Sequence, residues 1–104
     1  MSERLQQLLQ FYSEDPNDPF NIYALALEFL KTDIKESELF FEKLLNDHED
    51  YVPTYYHAAK FFEQINDRNK AIAVYEKGIA VAKKMNEQKA LRELTSAYEE
   101  LIFE

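Results

Sequence analysis

The chain has 104 residues, 46% hydrophobic and 31% charged, with one glycine, three prolines and no cysteine. This fits one globular domain, 1–104, and excludes disulfides, thiolate metal sites and a cysteine nucleophile. Twenty acidic against twelve basic residues give a formal charge of -8, which repels phosphate backbones and anionic membrane surfaces, so neither nucleic acid nor membrane is expected as a partner.

So little glycine and proline leaves few turns for hairpins, and abundant Ala, Leu, Glu, Lys and Gln favour an all-α fold. The first element, SERLQQLLQFY at residues 2–12, lacks the apolar run and small-residue cleavage site of a signal peptide and reads as a helix over 3–13. Asp18 followed by Pro19 is an N-cap with proline at the first helical position and opens a helix over 19–31. The apolar run within it, IYALAL at 22–27, is far short of the ~20 residues needed to span a bilayer, and a cytoplasmic protein is expected. Asp33 to Glu36 reads as a capping box ahead of a helix over 35–47. Pro53 opens a helix over 53–65, followed by helices over 68–84 and 87–102. Every connection is short, so sequential helices should run antiparallel.

The stretch YYHAAKFF, residues 55–62, carries two alanines between aromatic pairs. That pattern suits a helix crossed closely over Ala58 and Ala59, with Tyr55 and Phe62 wedged on either side. The same spacing occurs 33 residues upstream as Ile22, Leu25, Ala26 and Phe29. A second helix follows each copy: Ser37 and Phe41 in the first stand where Ala71 and Tyr75 stand in the second, at an offset of 34. The difference places a one-residue deletion in the connecting turn, KTDI against QINDR, where length changes are tolerated best.

This spacing resembles the tetratricopeptide repeat, a helical hairpin of ~34 residues with large, large-small and large positions on its first helix and small and aromatic positions on its second. Asp15-Pro16 matches the pair that closes a preceding repeat, so 3–13 resembles the second helix of an upstream repeat. Residues 19–50 and 52–84 resemble two full repeats. Leu91, Leu94-Thr95 and Tyr98 fit the first helix of a third, with 87–102 as a C-terminal capping helix. The chain departs from the pattern where Ile22 replaces the usual Trp, where Ala or Thr replaces the Gly of the Leu-Gly pair, and where Lys83 replaces the closing Pro. The resemblance implies about six helices stacked as a short right-handed superhelix.

Gly78 stands mid-helix, where it costs about 1 kcal/mol relative to Ala. The equivalent positions, Leu44 and Phe11, are large. The expectation is that helix 87–102 crosses near Gly78; the alternative is an exposed site where glycine is tolerated.

His48 lies in NDHED, which lacks the glycine and alternation of a calcium loop and reads as a solvated turn. His57 has no His or Cys at metal spacing and is assigned to a surface or helix-edge position. The pairs Glu36/Glu38 and Glu99/Glu100 diverge on a helix instead of converging on a substrate. With no catalytic motif, the chain reads as a non-enzyme that needs no cofactor or metal.

The resemblance also implies that the first helices line a concave surface that binds a peptide or partner segment. Carried over residue by residue, this surface is Phe20, Tyr23, Leu27 and Leu30 in the first repeat, and Tyr56, Lys60, Glu63 and Gln64 in the second. The last helix adds Arg92, Ser96 and Glu99. Tyr23 and Leu27 occupy places that a carboxylate-gripping subtype needs for polar residues, which leaves only Lys60 and Arg92 for an anion. Helix 19–31 is apolar on both faces, and a helix hydrophobic all round must be covered. The cover is a bound peptide, a second copy in a homodimer, or the chain's own first or last helix. Two function classes follow: a protein-binding module, and a structural protein that self-associates through the same patch.

Overall fold

The computed structural model describes residues 2–104, and among them the regular structure is six helices: α1 Glu3–Glu14, α2 Pro19–Phe29, α3 Ile34–Asp47, α4 Pro53–Gln64, α5 Arg68–Lys84 and α6 Gln88–Ile102. The all-α expectation holds, and each observed boundary lies within two residues of the expected one. The chain divides into two compact units that meet in sequence between His48 and Glu49.

In the first unit Ser2 caps α1, its Oγ accepting the Leu5 N–H at 3.1 Å. Asp18 caps α2 by accepting the Phe20 N–H at 2.9 Å, with Pro19 at the first helical position as expected. The Asn21 side chain then donates to Phe11 O (3.2 Å) and Asp15 O (3.1 Å), which ties the end of α1 to the start of α2. The expected capping box at Asp33 is only half formed. Asp33 accepts the Glu36 N–H at 3.2 Å, but its own N–H is given to Phe29 O at 2.8 Å, so Glu36 has nothing to accept in return.

The close approach of α2 and α3 is built on small groups. Ser37 is fully buried and donates its hydroxyl to Ala26 O at 2.6 Å, with Ile22, Leu25, Phe41 and Leu44 sealed from solvent. Helix α1 adds Leu5 and Leu8 to a cluster with Ala24 and Leu25. Around this cluster Phe40 stacks on Phe29 at 5.8 Å and meets Tyr12 edge-on at 5.4 Å. Burying such a side chain contributes roughly 1.5–3 kcal/mol, so α1 is held by its tertiary contacts more than by its own propensity.

In the second unit the spacing of 55–62 has the expected consequence: Tyr55, Ala58, Ala59 and Phe62 of α4 are buried, as are Ala71 and Tyr75 of α5. The Tyr55 hydroxyl donates to Glu49 O at 2.6 Å and so holds the segment that enters α4. Gly78 is corrected. An ideal Cβ there would lie 2.6 Å from Tyr55 Cβ and 2.9 Å from its Cγ, so the helix that occupies the space is α4, not α6. Helix α6 is tied to α5 through Arg68, Tyr75 and Glu76, all N-terminal of Gly78.

Both α4 and α5 end on an asparagine in the left-handed region, Asn66 (φ 63) and Asn86 (φ 58). Behind each, the next N–H reaches back to close the helix: Asp67 to Phe62 O and Glu87 to Ala82 O, both at 2.9 Å. That is the bond of a Schellman ending, in which a left-handed residue reverses the chain. It also accounts for the one-residue offset between the repeats. Phe29 O and Phe62 O are equivalent carbonyls, and each accepts the N–H of the Asp that caps the following helix; the second unit inserts Asn66 to reach it, while the first reaches it directly.

Candidate partner-binding faces

On α4 the residues opposite the packing face are Tyr56, Lys60 and Glu63, spaced i, i+4 and i+7 and therefore aligned along one side. The Lys60 ammonium lies 5.7 Å from the Tyr56 ring centroid and 3.6 Å from Glu63 Oε2. The same Glu63 oxygen accepts the Tyr75 hydroxyl from α5 at 2.6 Å. Burial, and then this hydrogen bond to Glu63, push the Tyr75 phenol far above its ordinary range, so it remains a donor at any physiological pH.

Helix α6 forms the opposite wall. A cleft of about 570 Å³ lies between the two helices, lined by Tyr56, His57 and Lys60 on one side and by Arg92, Glu93, Ser96, Ala97 and Glu100 on the other. His57 meets Tyr56 edge-on at 5.6 Å. Burial lowers the His57 pKa against the opposing pull of Glu93, which favours the neutral imidazole.

Tyr56, Lys60 and Arg92 are thus brought around one cleft, with Glu63 joined to it through Lys60. Ser96 also lines it, whereas Gln64 and Glu99 do not. The face that α6 turns to the cleft is rotated by about one residue from the expected one and takes in Glu93, Ala97 and Glu100, because α6 buries Leu94, Ala97 and Leu101. Sequence reasoning missed His57, Glu93 and Glu100. The available signal was the spacing of Glu93, Ala97 and Glu100, which shares one helical stripe with Ser96.

Phe20, Tyr23, Leu27 and Leu30 belong to the other unit, on α2 or at its C-terminal end. They recur at i, i+3, i+7 and i+10 and so form a stripe. Phe20 is 57% exposed and the other three are half-buried. Helix α1 packs beside this stripe, on the Ala24, Leu25 and Phe29 side of α2. His48 ends α3, its N–H bonded to Leu44 O, and among the described residues no group of His, Asp or Glu is placed to hold a metal ion.

Compared with solved structures, the chain is similar to a tetratricopeptide repeat domain protein from Salinibacter ruber determined by solution NMR. The two share 43% sequence identity with a TM-score of 0.79, over 84% of this chain and 89% of that one. It is likewise similar to the crystal structure of a tetratricopeptide repeat domain protein from the same organism, at 41% identity and a TM-score of 0.77, over 81% of this chain and 96% of the other. No family model and no curated protein matches the chain.

Proposed function

The chain belongs to the tetratricopeptide-repeat family, and on that premise we propose that it is a non-enzymatic interaction module that receives a peptide or partner segment on its first-helix faces. The observation that carries this reading is the α4–α6 cleft. It is concave, walled by an aromatic ring and by charged side chains of both signs, and formed on two rigid helices. Convergent polar and charged groups of this kind orient a bound segment. A protein partner suits the net charge of -8 better than a nucleic acid does. No helix among the described residues is long and apolar enough to cross a membrane.

The stripe on α2 favours a second reading, self-association into a homodimer, because Phe20 exposes 57% of its surface beside Tyr23, Leu27 and Leu30. Large exposed apolar patches mark interaction sites. Solution mass measured over a range of concentrations separates the two. A monomer at all concentrations that captures a partner, and loses it on Tyr56→Ala with Lys60→Ala, supports the module; a dimer that Leu27→Glu turns into a monomer supports self-association.

A further inference from the structure

Resting on the reading of the α4–α6 cleft as a binding face, we propose that Glu93 and Glu100 receive a single basic side chain, an arginine or a lysine, of the bound segment. Charge complementarity favours that occupant. The charged groups at the cleft are Lys60 and Arg92 against Glu63, Glu93 and Glu100, an excess of one carboxylate. Lys60 Nζ stands 3.6 Å from Glu63 Oε2 and is neutralised on its own helix. That leaves Arg92 against Glu93 and Glu100, and none of these three side chains makes an ion pair or hydrogen bond with another described residue.

Arg92 does not cancel the two carboxylates. Neighbours in sequence point to different sides of a helix, so Arg92 and Glu93 diverge, and Glu100 stands about 12 Å further along the axis. Glu93 and Glu100 recur at i and i+7 and share a side, about 10 Å apart along the axis, with Ala97 between them. The small Ala97 leaves the space between the carboxylates open, and Tyr56 and His57 face it from α4. His57 brings no opposing charge, since burial favours its neutral form. The negative field reaches that wall: Glu93 works against the lowering of the His57 pKa, and Glu100 adds to the raising of the Tyr75 phenol. A cation in this space is attracted from both ends, and its apolar stem can lie along Ala97 and the Tyr56 ring.

The chain contains its own comparison. In the spacing that the first helices share, Glu93, Ala97 and Glu100 stand where α4 has His57, Phe61 and Gln64, and where the first copy has Ala24, Glu28 and Lys31. Neither other copy has a carboxylate at the outer positions or a small residue at the middle one. Packing as a first helix therefore does not account for this combination. At a net -8 the whole chain also draws a basic segment from a distance and repels an acidic one. Lys60 and Arg92 repel a run of cations, so the fitting segment carries one basic residue flanked by uncharged ones.

NMR on the full chain tests this with three blocked tetrapeptides that differ at one position: arginine, its uncharged isostere citrulline, and glutamate. The arginine peptide should shift the side-chain signals of Glu93 and Glu100. It should bind about fivefold more tightly than the citrulline peptide at low ionic strength, the size of a partly exposed charge contact, and the preference should shrink as salt is added. In a Glu93→Gln, Glu100→Gln double variant the preference should vanish while the melting temperature stays near that of the wild type, since both side chains are exposed. A preference that survives in the double variant overturns the assignment to these two residues. Equal binding of the arginine and citrulline peptides, or tighter binding of the glutamate peptide, overturns the basic preference and leaves the binding face standing. Absence of any shift with all three peptides at millimolar concentration also overturns the basic preference. The cleft reading is then decided on its own, by whether Tyr56→Ala with Lys60→Ala loses the captured partner.

Discussion

Gly78 and Tyr55 occupy what is nearly the same space: a Cβ on the glycine would fall 2.6 Å from the tyrosine Cβ, closer than side chains pack. The equivalent pair in the first unit is Leu44 and Ile22, both fully buried. Two side chains of equal size share the site in the first unit, whereas in the second the smallest possible residue stands with a large ring. The two repeats solve one packing problem with an even and an uneven division of volume.

Gly78→Ala should therefore destabilise. Overpacking costs typically 1–3 kcal/mol, against a gain of about 1 kcal/mol from helix propensity, and the obstructing atom is the near end of the tyrosine, which cannot swing away. Urea denaturation of Gly78→Ala in wild-type and Tyr55→Ile backgrounds should give a loss in the first and a smaller loss or a gain in the second. A stabilised single variant would show that Tyr55 gives way freely.

Left-handed backbone at Asn66 and Asn86 makes these two positions unusually sensitive to residue type. Substituting Ala at either should cost about 1–2 kcal/mol, the penalty of a Cβ in that conformation, while Gly should be neutral or slightly stabilising. Melting temperatures of the Ala and Gly variants at each site provide the comparison. Equal behaviour of the two would mean that the turn can be made another way.

Tyr55 predicts alkaline sensitivity. Burial, followed by the negative charges of Glu49 and Asp50, raises its phenol to about 12, whereas the unfolded chain ionises near the ordinary value of ~10. The folded state holds its proton where the unfolded state releases it, so this contribution is full below pH ~10 and is lost as pH rises toward about 12. Tyr55→Phe should flatten the fall in stability over that window, measured by chemical denaturation at stepped pH. An unchanged slope would assign the alkaline loss to other groups.

The α2 stripe separates surface from core. Phe20→Ala should leave stability within about 0.5 kcal/mol of wild type, as for an exposed site. Phe29→Ala, which removes a ring stacked on Phe40, should cost about 3 kcal/mol, the low end for a phenylalanine that is only half-buried. If Phe20→Ala unfolds the protein as readily, the stripe belongs to the fold and the self-association reading fails.

Much of this molecule is legible in its sequence because the determining interactions are local. Asp18 with Pro19, Asp33 and Pro53 announce helix starts within one turn of chain, and the spacing of Tyr55, Ala58, Ala59 and Phe62 states which side of α4 is packed. Comparing that spacing with its copy at Ile22 also located the one-residue difference in the turn, which the structure resolves as the left-handed Asn66. What the tertiary structure decided depends on which helix meets which and at what rotation. Gly78 signals a close approach without naming the approaching helix, since a missing side chain carries no directional information; Tyr55 supplies it. The rotation of α6 that brings Glu93 and Glu100 to the cleft is set by burying Leu94, Ala97 and Leu101 together, a shift of about one residue that a periodic pattern does not resolve. The Tyr75 hydroxyl that reaches Glu63 from behind its face is invisible to spacing rules, which class Tyr75 simply as a large packed ring. Only the assembled hairpin sets the two groups 2.6 Å apart.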